Sequence, residues 1–167
     1  MATTGLIPFL ILTITIASDQ ISKLLIRTNL SHGESIPTSG LIRITYVKNT
    51  GSAFGLFQDQ TVILILASFV AICILLFFYK SIPLKNWLIQ VCIGLQIGGA
   101  IGNLIDRIRI GYVVDFIDIG LWPVFNIADS AITVGMIGML WVLLRSNTKH
   151  ELPLQNENVE LTPPDQD

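Results

Sequence analysis

Charge is scarce in this chain. Only 13% of its 167 residues are Asp, Glu, Lys or Arg, where soluble domains carry about 25%. Hydrophobic residues make up 51%, and the mean hydropathy is +0.67, so the composition is that of a chain dissolved in lipid. The net charge is −2. No basic patch stands out, which excludes a nucleic-acid partner. Histidine is scarcer still. His32 and His150 lie in polar segments far apart and give no zinc motif. They also leave Ser22, Ser52 and Ser130 without a histidine in a plausible partner segment. Cysteine is limited to Cys73 and Cys92. Both lie in apolar runs, which excludes a disulfide framework and favours buried packing. Internal repeats, expected of a small proton-coupled carrier, are lacking.

What the chain does have is long apolar runs. A bilayer-spanning helix needs roughly 20 mostly apolar residues, and segments 61–79, 87–105 and 127–144 meet this closely. A further span is expected at 6–27, although its uninterrupted apolar part is only Leu6–Ala17. That part is short enough to be a signal-peptide core, but no Lys or Arg precedes Lys23 and Ala17-Ser18-Asp19 is a poor cleavage site. It reads as a retained helix. At about 1.5 Å rise per residue, Asp19 lies about 21 Å along from Gly5, still inside a roughly 30 Å hydrocarbon layer.

The expected fold is therefore a membrane all-α core, a four-helix transmembrane bundle occupying residues 1–145 as one domain. Between the first two spans, residues 29–60 are polar. They hold the β-rich run Leu41–Val47, bounded by Gly40 and Asn49-Thr50-Gly51, with Ala53–Phe57 as a second short strand. A small sheet is expected there, outside the membrane or lying on it. The link Lys80–Asn86 is short, and Asp106–Asn126 is longer and semi-apolar. Residues 146–167 read as a polar, disordered tail. Four spans put both termini on one side. The density of Lys80, Lys85, Arg145 and Lys149 favours the short loop as cytoplasmic, although the other side carries more basic residues in total.

On the third span, Gly94, Gly98 and Gly102 recur every four residues and so share a helix face. Such faces let membrane helices approach closely. Packing is the expected use, a groove left open for substrate backbone the alternative, since Gly99 beside Gly98 makes it wider than packing needs.

Ionisable residues within spans are costly and point to function. Asp19 and Lys23 are four apart and can pair on one face. Asn103, Asp106 and Arg107 end the third span. Asp115 has apolar neighbours and no adjacent base. Asp129 opens the fourth span, where it also complements the helix dipole. If the chain alternates direction, all of these reach one membrane face. Asp59 and Asp118 look solvated or interfacial. Two carboxylates at one site share a proton. One can then activate water while the other protonates the carbonyl oxygen under attack. Aspartates holding Mg²⁺ or Ca²⁺ and a carrier remain the competing readings.

Five segments, in order, resemble the lipoprotein signal peptidase (signal peptidase II) family of bacterial membrane aspartic proteases. They are Asp19-Gln20-Ile21-Ser22-Lys23, Asn49-Thr50-Gly51-Ser52-Ala53-Phe54, Gly98 through Arg107, Val113-Val114-Asp115-Phe116, and Phe125 through Ala131. The resemblance implies that Asp115 and Asp129 are the catalytic pair. It implies supporting or substrate-binding roles for Asp19, Lys23, Asn49, Gly51, Asn103, Arg107 and Asn126. Of these, Asn103, Arg107 and Asn126 are expected to hold substrate backbone and orient the acids, and Asp19 with Lys23 mainly to fix the first helix and the adjoining sheet. It implies no cofactor or metal. The partners it implies are membrane lipid and a prolipoprotein whose cysteine carries diacylglycerol, cut just before that cysteine by a chain taken as a monomer. It places the chain in the bacterial inner membrane, with both termini cytoplasmic, a periplasmic β-cradle within 29–60 and the site near the periplasmic face. Ser52 stands where alanine is frequent, and the acidic tail matches nothing in the family pattern.

Overall fold

The computed structural model describes residues 6–52, 56–79 and 86–148. Among them are four helices: α1 (Leu6–Asn29), α2 (Thr61–Tyr79), α3 (Trp87–Ile110) and α4 (Ile127–Thr148). Three strands, β1 (Ser35–Ile36), β2 (Arg43–Asn49) and β3 (Val113–Asp118), form one antiparallel sheet in the order β1-β2-β3. α1, α3 and α4 are long and apolar enough to cross a membrane, while α2 is a shorter apolar helix over Thr61–Phe77. α3 runs past the expected Ile105, so Asp106 and Arg107 lie inside the helix. Gly111 stops it in the left-handed conformation at φ 80°, its N–H bonding Arg107 O. That conformation costs glycine least. α4 continues to Thr148, past the expected start of the tail. The expected strand at 53–57 falls largely outside the described residues, as do the link 80–85 and the tail beyond 148.

α3 is the central helix and packs against the other three. Its glycines explain how. A Cβ on Gly94 would come within 2.8 Å of Pro8 O, and one on Gly98 within 3.0 Å of Leu12 O, both on α1. A Cβ on Gly99 would collide with Ala128 O of α4. Gly94 and Gly98 thus admit α1, and the widening at Gly99 admits α4 on an adjoining face. A small apolar core of Ile89, Ile93 and Ile97 lies along α3. Large apolar side chains such as Phe9, Ile14, Phe69, Ile137 and Leu140 remain exposed on the outer helix faces. A continuous exposed apolar surface of this kind suits lipid as solvent. Cys92 is buried as expected, but Cys73 is exposed. It points outward from α2, where an apolar run needs no protein contact if lipid covers it.

The sheet is not confined to the segment between the first two helices. Its third strand, β3, comes from the link after α3, and nearly every residue in it is buried. β2 pairs with it from Arg43↔Asp118 to Asn49↔Val113. A register shift between Ile44 and Val47 gives β2 one extra residue, a bulge that re-aims the strand end. Ile117 then bridges to Phe125, folding the chain back before α4 begins.

A buried ion cluster ties these parts together. Lys23 of α1 is 2% exposed, and its Nζ lies 2.9 Å from Asp19 Oδ2 and 3.0 Å from Asp106 Oδ2. It also donates to Asn103 Oδ1 at 2.9 Å. Asp106 Oδ2 accepts from Val114 N of β3 at 3.1 Å, and Asp19 Oδ1 from Ala128 N of α4 at 3.0 Å. Gln20 Nε2 reaches both acids, at 3.2 and 3.1 Å, and Gly102 O at 3.1 Å.

Gly99→Ala, which drives a methyl into α4 backbone, is expected to destabilise the protein by about 1–3 kcal/mol. Gly138→Ala meets only the Cys92 thiol, at 2.7 Å, and should cost less. Thermal unfolding in detergent compares the two, and equal losses would refute this account of α3 packing. Lys23→Met leaves two buried carboxylates facing each other and is expected to cost about 3–5 kcal/mol. A fall in unfolding midpoint no larger than that of an exposed Arg109→Met would refute the structural role of the cluster.

Candidate active site

Asp115 and Asp129 arrive at one place by different local rules. Asp115 is the third residue of β3. Its diagonal neighbour across the sheet is Asn49, because Asn49 pairs with Val113 and residues two apart share a face. Asn49 Nδ2 accordingly donates to Asp115 Oδ2 at 2.9 Å. Asp129 belongs to a capping box. Asn126 caps α4, its Oδ1 accepting from Asp129 N at 2.9 Å, while Asp129 Oδ2 accepts from Asn126 N at 3.3 Å. The Ile117–Phe125 bridge brings this cap beside β3. There Asn126 Nδ2 donates to Asp115 Oδ1 at 2.6 Å and to Asn103 Oδ1 at 3.1 Å. Asn103 Nδ2 in turn donates to Asp129 Oδ1 at 2.8 Å.

Both carboxylates line a cleft of about 540 Å³, within the usual range of ligand sites, ~300–1,000 Å³. Asn49, Gly51, Asn103 and Arg107 line it too. Arg107 Nη2 donates to Gly51 O at 3.2 Å, and Gly51 N to Asn49 Oδ1 at 3.0 Å, so α3 holds the 49–51 turn against the cleft. Gly51 has no room for a side chain, since a Cβ would come within 2.6 Å of Leu56 O. Asn126 is fully buried and does not line the cleft. Both of its amide hydrogens are committed, so it can orient the acids but has none left to donate to substrate backbone. Asp19 and Lys23 also sit away from the cleft wall, one shell behind it through Asn103.

The electrostatics separate the two acids. Asp115 is 2% exposed, whereas Asp129 is half-buried. Burial first, and the neighbouring Asp129 carboxylate second, push the Asp115 carboxyl up to about 7, against the opposing effect of the Asn49 and Asn126 hydrogen bonds. A carboxyl of this kind can hold a proton near neutrality beside an acid that faces the cleft.

Several residues of the site escaped the sequence reading. Asp118, expected to be solvated or interfacial and given no role, is 5% exposed and staples β2 to β3. Its Oδ2 accepts from Arg43 Nε at 3.0 Å and from Thr45 Oγ1 at 2.8 Å, and its Oδ1 from Gly120 N at 2.9 Å. The Gly120 N–H and then Thr45, with the Arg43 guanidinium, hold its carboxyl below the usual carboxylate range. Its side-chain partners Arg43 and Thr45 lie far upstream, so no local pattern announces that pairing. Gln20 was passed over inside the first motif, although its position beside Asp19 was a signal. Thr133, one helical turn after Asp129 and so on the same face, lines the cleft with Gln58, Trp122, Phe125 and Ile132. Gln58 sits between Phe57 and Asp59, both at positive φ, 57° and 61°, a strained turn of the sort that collects at functional sites.

Known proteins are similar to this chain over most of its length. A family model described as signal peptidase (SPase) II matches residues 11–145. The lipoprotein signal peptidase of Moorella thermoacetica is 46% identical over 139 residues, covering 82% of this chain and 93% of that protein. The lipoprotein signal peptidase of a Dehalococcoides mccartyi strain is 44% identical over 149 residues, covering 87% and 93%. A solved bacterial membrane enzyme superposes with a TM-score of 0.78 at 31% identity, covering 89% of this chain and 94% of that one. With apolar helices of membrane-spanning length around a paired-carboxylate cleft, the chain belongs to the signal peptidase II family and is an aspartic protease of the bacterial inner membrane.

Proposed function

We propose that this chain removes the signal peptide from diacylglyceryl-modified prolipoproteins, cutting just before the lipidated cysteine, with Asp115 and Asp129 as the catalytic pair. The observation that carries this reading is one cleft holding a buried carboxyl raised to about 7 and a second carboxylate held by Asn103 and the α4 cap. Asp129, the more accessible acid, takes a proton from water as the water oxygen attacks the scissile carbonyl carbon. Asp115 gives its proton to the carbonyl oxygen, so charge never accumulates on the tetrahedral intermediate. When that intermediate collapses, the C–N bond breaks and Asp129 passes its proton to the departing cysteine nitrogen. Asp115 recovers its own from the hydroxyl that becomes the new carboxyl end. Asn49, Asn103 and Asn126 keep the two acids in register, and Arg107 with Gly51 shapes the wall against which the extended peptide lies.

In this reading all four helices span the bilayer, α2 included, since its 19 residues reach about 28 Å. Both termini are cytoplasmic, residues 1–145 form the peptidase domain, and the sheet and cleft lie at the periplasmic face. The site opens sideways to lipid, so the acyl chains of the substrate stay in the bilayer while its peptide enters the cleft. The enzyme works as a monomer without a cofactor. The alternative of a proton-coupled carrier loses ground, because the family is one of hydrolases.

Asp115→Asn and Asp129→Asn are each expected to lower turnover of a lipidated prolipoprotein by at least about 10²–10⁴-fold, with the unfolding midpoint preserved and wild-type cleavage unaffected by EDTA. Near-normal turnover by either variant would remove the dyad, and equal cleavage of an unlipidated precursor would remove the substrate assignment. The pH profile tests the division of labour. The active form holds one shared proton, so kcat/KM should fall as pH rises through about 7 and Asp115 ionises. The Asn49 amide stabilises the ionised form, so Asn49→Ala should move this limb to higher pH. A limb that moves to lower pH, or stays in place, would contradict the assignment of the proton to Asp115.

A further inference from the structure

A second concavity, of about 230 Å³, lies between α1 and α3 and shares no lining residue with the 540 Å³ cleft. Gln20, Ile21, Leu24 and Arg27 form its α1 wall and Arg109 its α3 rim, with Lys23 and Asp106 at its floor. It is smaller than the ~300–1,000 Å³ typical of small-molecule sites, so it suits a headgroup rather than a peptide.

Its charges are uneven. Lys23 is fully engaged by Asp19, Asp106 and Asn103, at 2.9–3.0 Å. Arg27 and Arg109 form no ion pair among the described residues and both are exposed. Their two positive charges outweigh the one surplus negative charge of Lys23 with Asp106 and, behind the floor, Asp19. Part of their presence is explained by the negative ends of the two helix dipoles, since each sits in a last turn. That leaves unexplained why they converge on one groove. Below them Ile21 and Leu24 are 59% and 57% exposed, an apolar strip leading down the bundle. α1 and α3 are 24 residues each, about 36 Å, longer than a ~30 Å hydrocarbon layer. Their last turns therefore reach headgroup level, with cations above and apolar side chains beneath.

We propose that this groove binds the phosphate of an anionic phospholipid of the surrounding leaflet, Arg27 and Arg109 clasping the phosphate while an acyl chain lies along Ile21 and Leu24. Guanidinium pairs suit phosphate oxygens better than any other cationic side chain. The site is distinct from the peptidase cleft, because it shares none of its lining residues. The proposal rests on the membrane setting of α1 and α3 and not on the identity of the catalytic pair.

The test titrates purified full-length protein in neutral detergent with phosphatidylglycerol, phosphatidylcholine, diacylglycerol or inorganic phosphate. Binding is read from the unfolding midpoint and from lipid retained in native mass spectrometry. Phosphatidylglycerol should stabilise the wild type most, phosphatidylcholine less and diacylglycerol least. Arg27→Gln/Arg109→Gln should weaken phosphatidylglycerol binding at least about tenfold while cleavage in lipid-poor detergent stays within about twofold of wild type. Arg145→Gln, at the end of α4, should bind as wild type does. Should the double variant not fold, the single variants Arg27→Gln and Arg109→Gln decide the question, each weakening binding on its own. Unchanged binding by these variants, equal stabilisation by diacylglycerol, or an equal effect of inorganic phosphate would each overturn the proposal.

Discussion

The structure depends on one buried ammonium. A lysine enclosed as Lys23 is, at 2% exposure, persists only if hydrogen-bonded acids compensate its lost hydration. Here the compensation comes from three directions. Asp19 lies one turn back on α1, and Asp106 and Asn103 come from α3. Each of these groups spends its remaining capacity on another element. Asp19 caps an N–H of α4, Asp106 takes an N–H of β3, and Asn103 reaches Asp129. A displacement of α1 against α3 would leave buried charge unpaired. The cost of such a displacement makes the arrangement of α1, α3, β3 and the start of α4 stiff, and that arrangement carries the two cleft carboxylates.

Asparagine is the second constraint. Its amide presents donors and an acceptor in one rigid plane, so it can serve two neighbours without adding charge. Asn126 links both acids this way, through its side chain to Asp115 and through the helix cap to Asp129. Additional arginines or lysines directly on the carboxylates would hold both ionised and remove the shared proton. Amide donors fix geometry with a smaller effect on the proton, and burial is then free to raise Asp115 to about 7. Arg107, the cation on the cleft wall, instead donates to a backbone carbonyl, Gly51 O.

The parts of this arrangement legible in the sequence were those set by local rules. Apolar length located the helices. The four-residue spacing of Gly94, Gly98 and Gly102 marked a close contact, and Asp19 with Lys23 announced an ion pair. What the sequence hid was non-local. β3 is buried along nearly its whole length, so it lacks the alternation of a half-exposed strand and reads as an apolar link. Only its pairing with β2, a segment that precedes it by two helices, makes it a strand. The role of Asp118 is hidden for the same reason, because Arg43 and Thr45 answer it across that pairing. Asp115 and Asp129 were recognised through motifs, but their shared support by Asn126 depends on the Ile117–Phe125 fold-back, which no spacing rule foretells.

The placement of Asp115 on a strand rather than on a helix has a physical consequence. An acid buried between membrane helices must be paired, as Asp19 and Asp106 are with Lys23. Hydrolysis needs an acid that is desolvated enough to keep a proton yet stays beside water. β3 lies past the end of α3, and the Ile117–Phe125 bridge folds the chain back beside it into the cap of α4. Val114 beside Asp115 packs into the small core with Leu30 and Tyr46, which sets the strand's depth. Alternation along the strand then turns Asp115 to the opposite face, toward Asn49 and the cleft. A single strand thus supplies burial through one residue and a cleft-lining carboxyl through the next. A helix could not do this within adjacent residues, because its successive side chains diverge by about 100° rather than pointing to opposite faces.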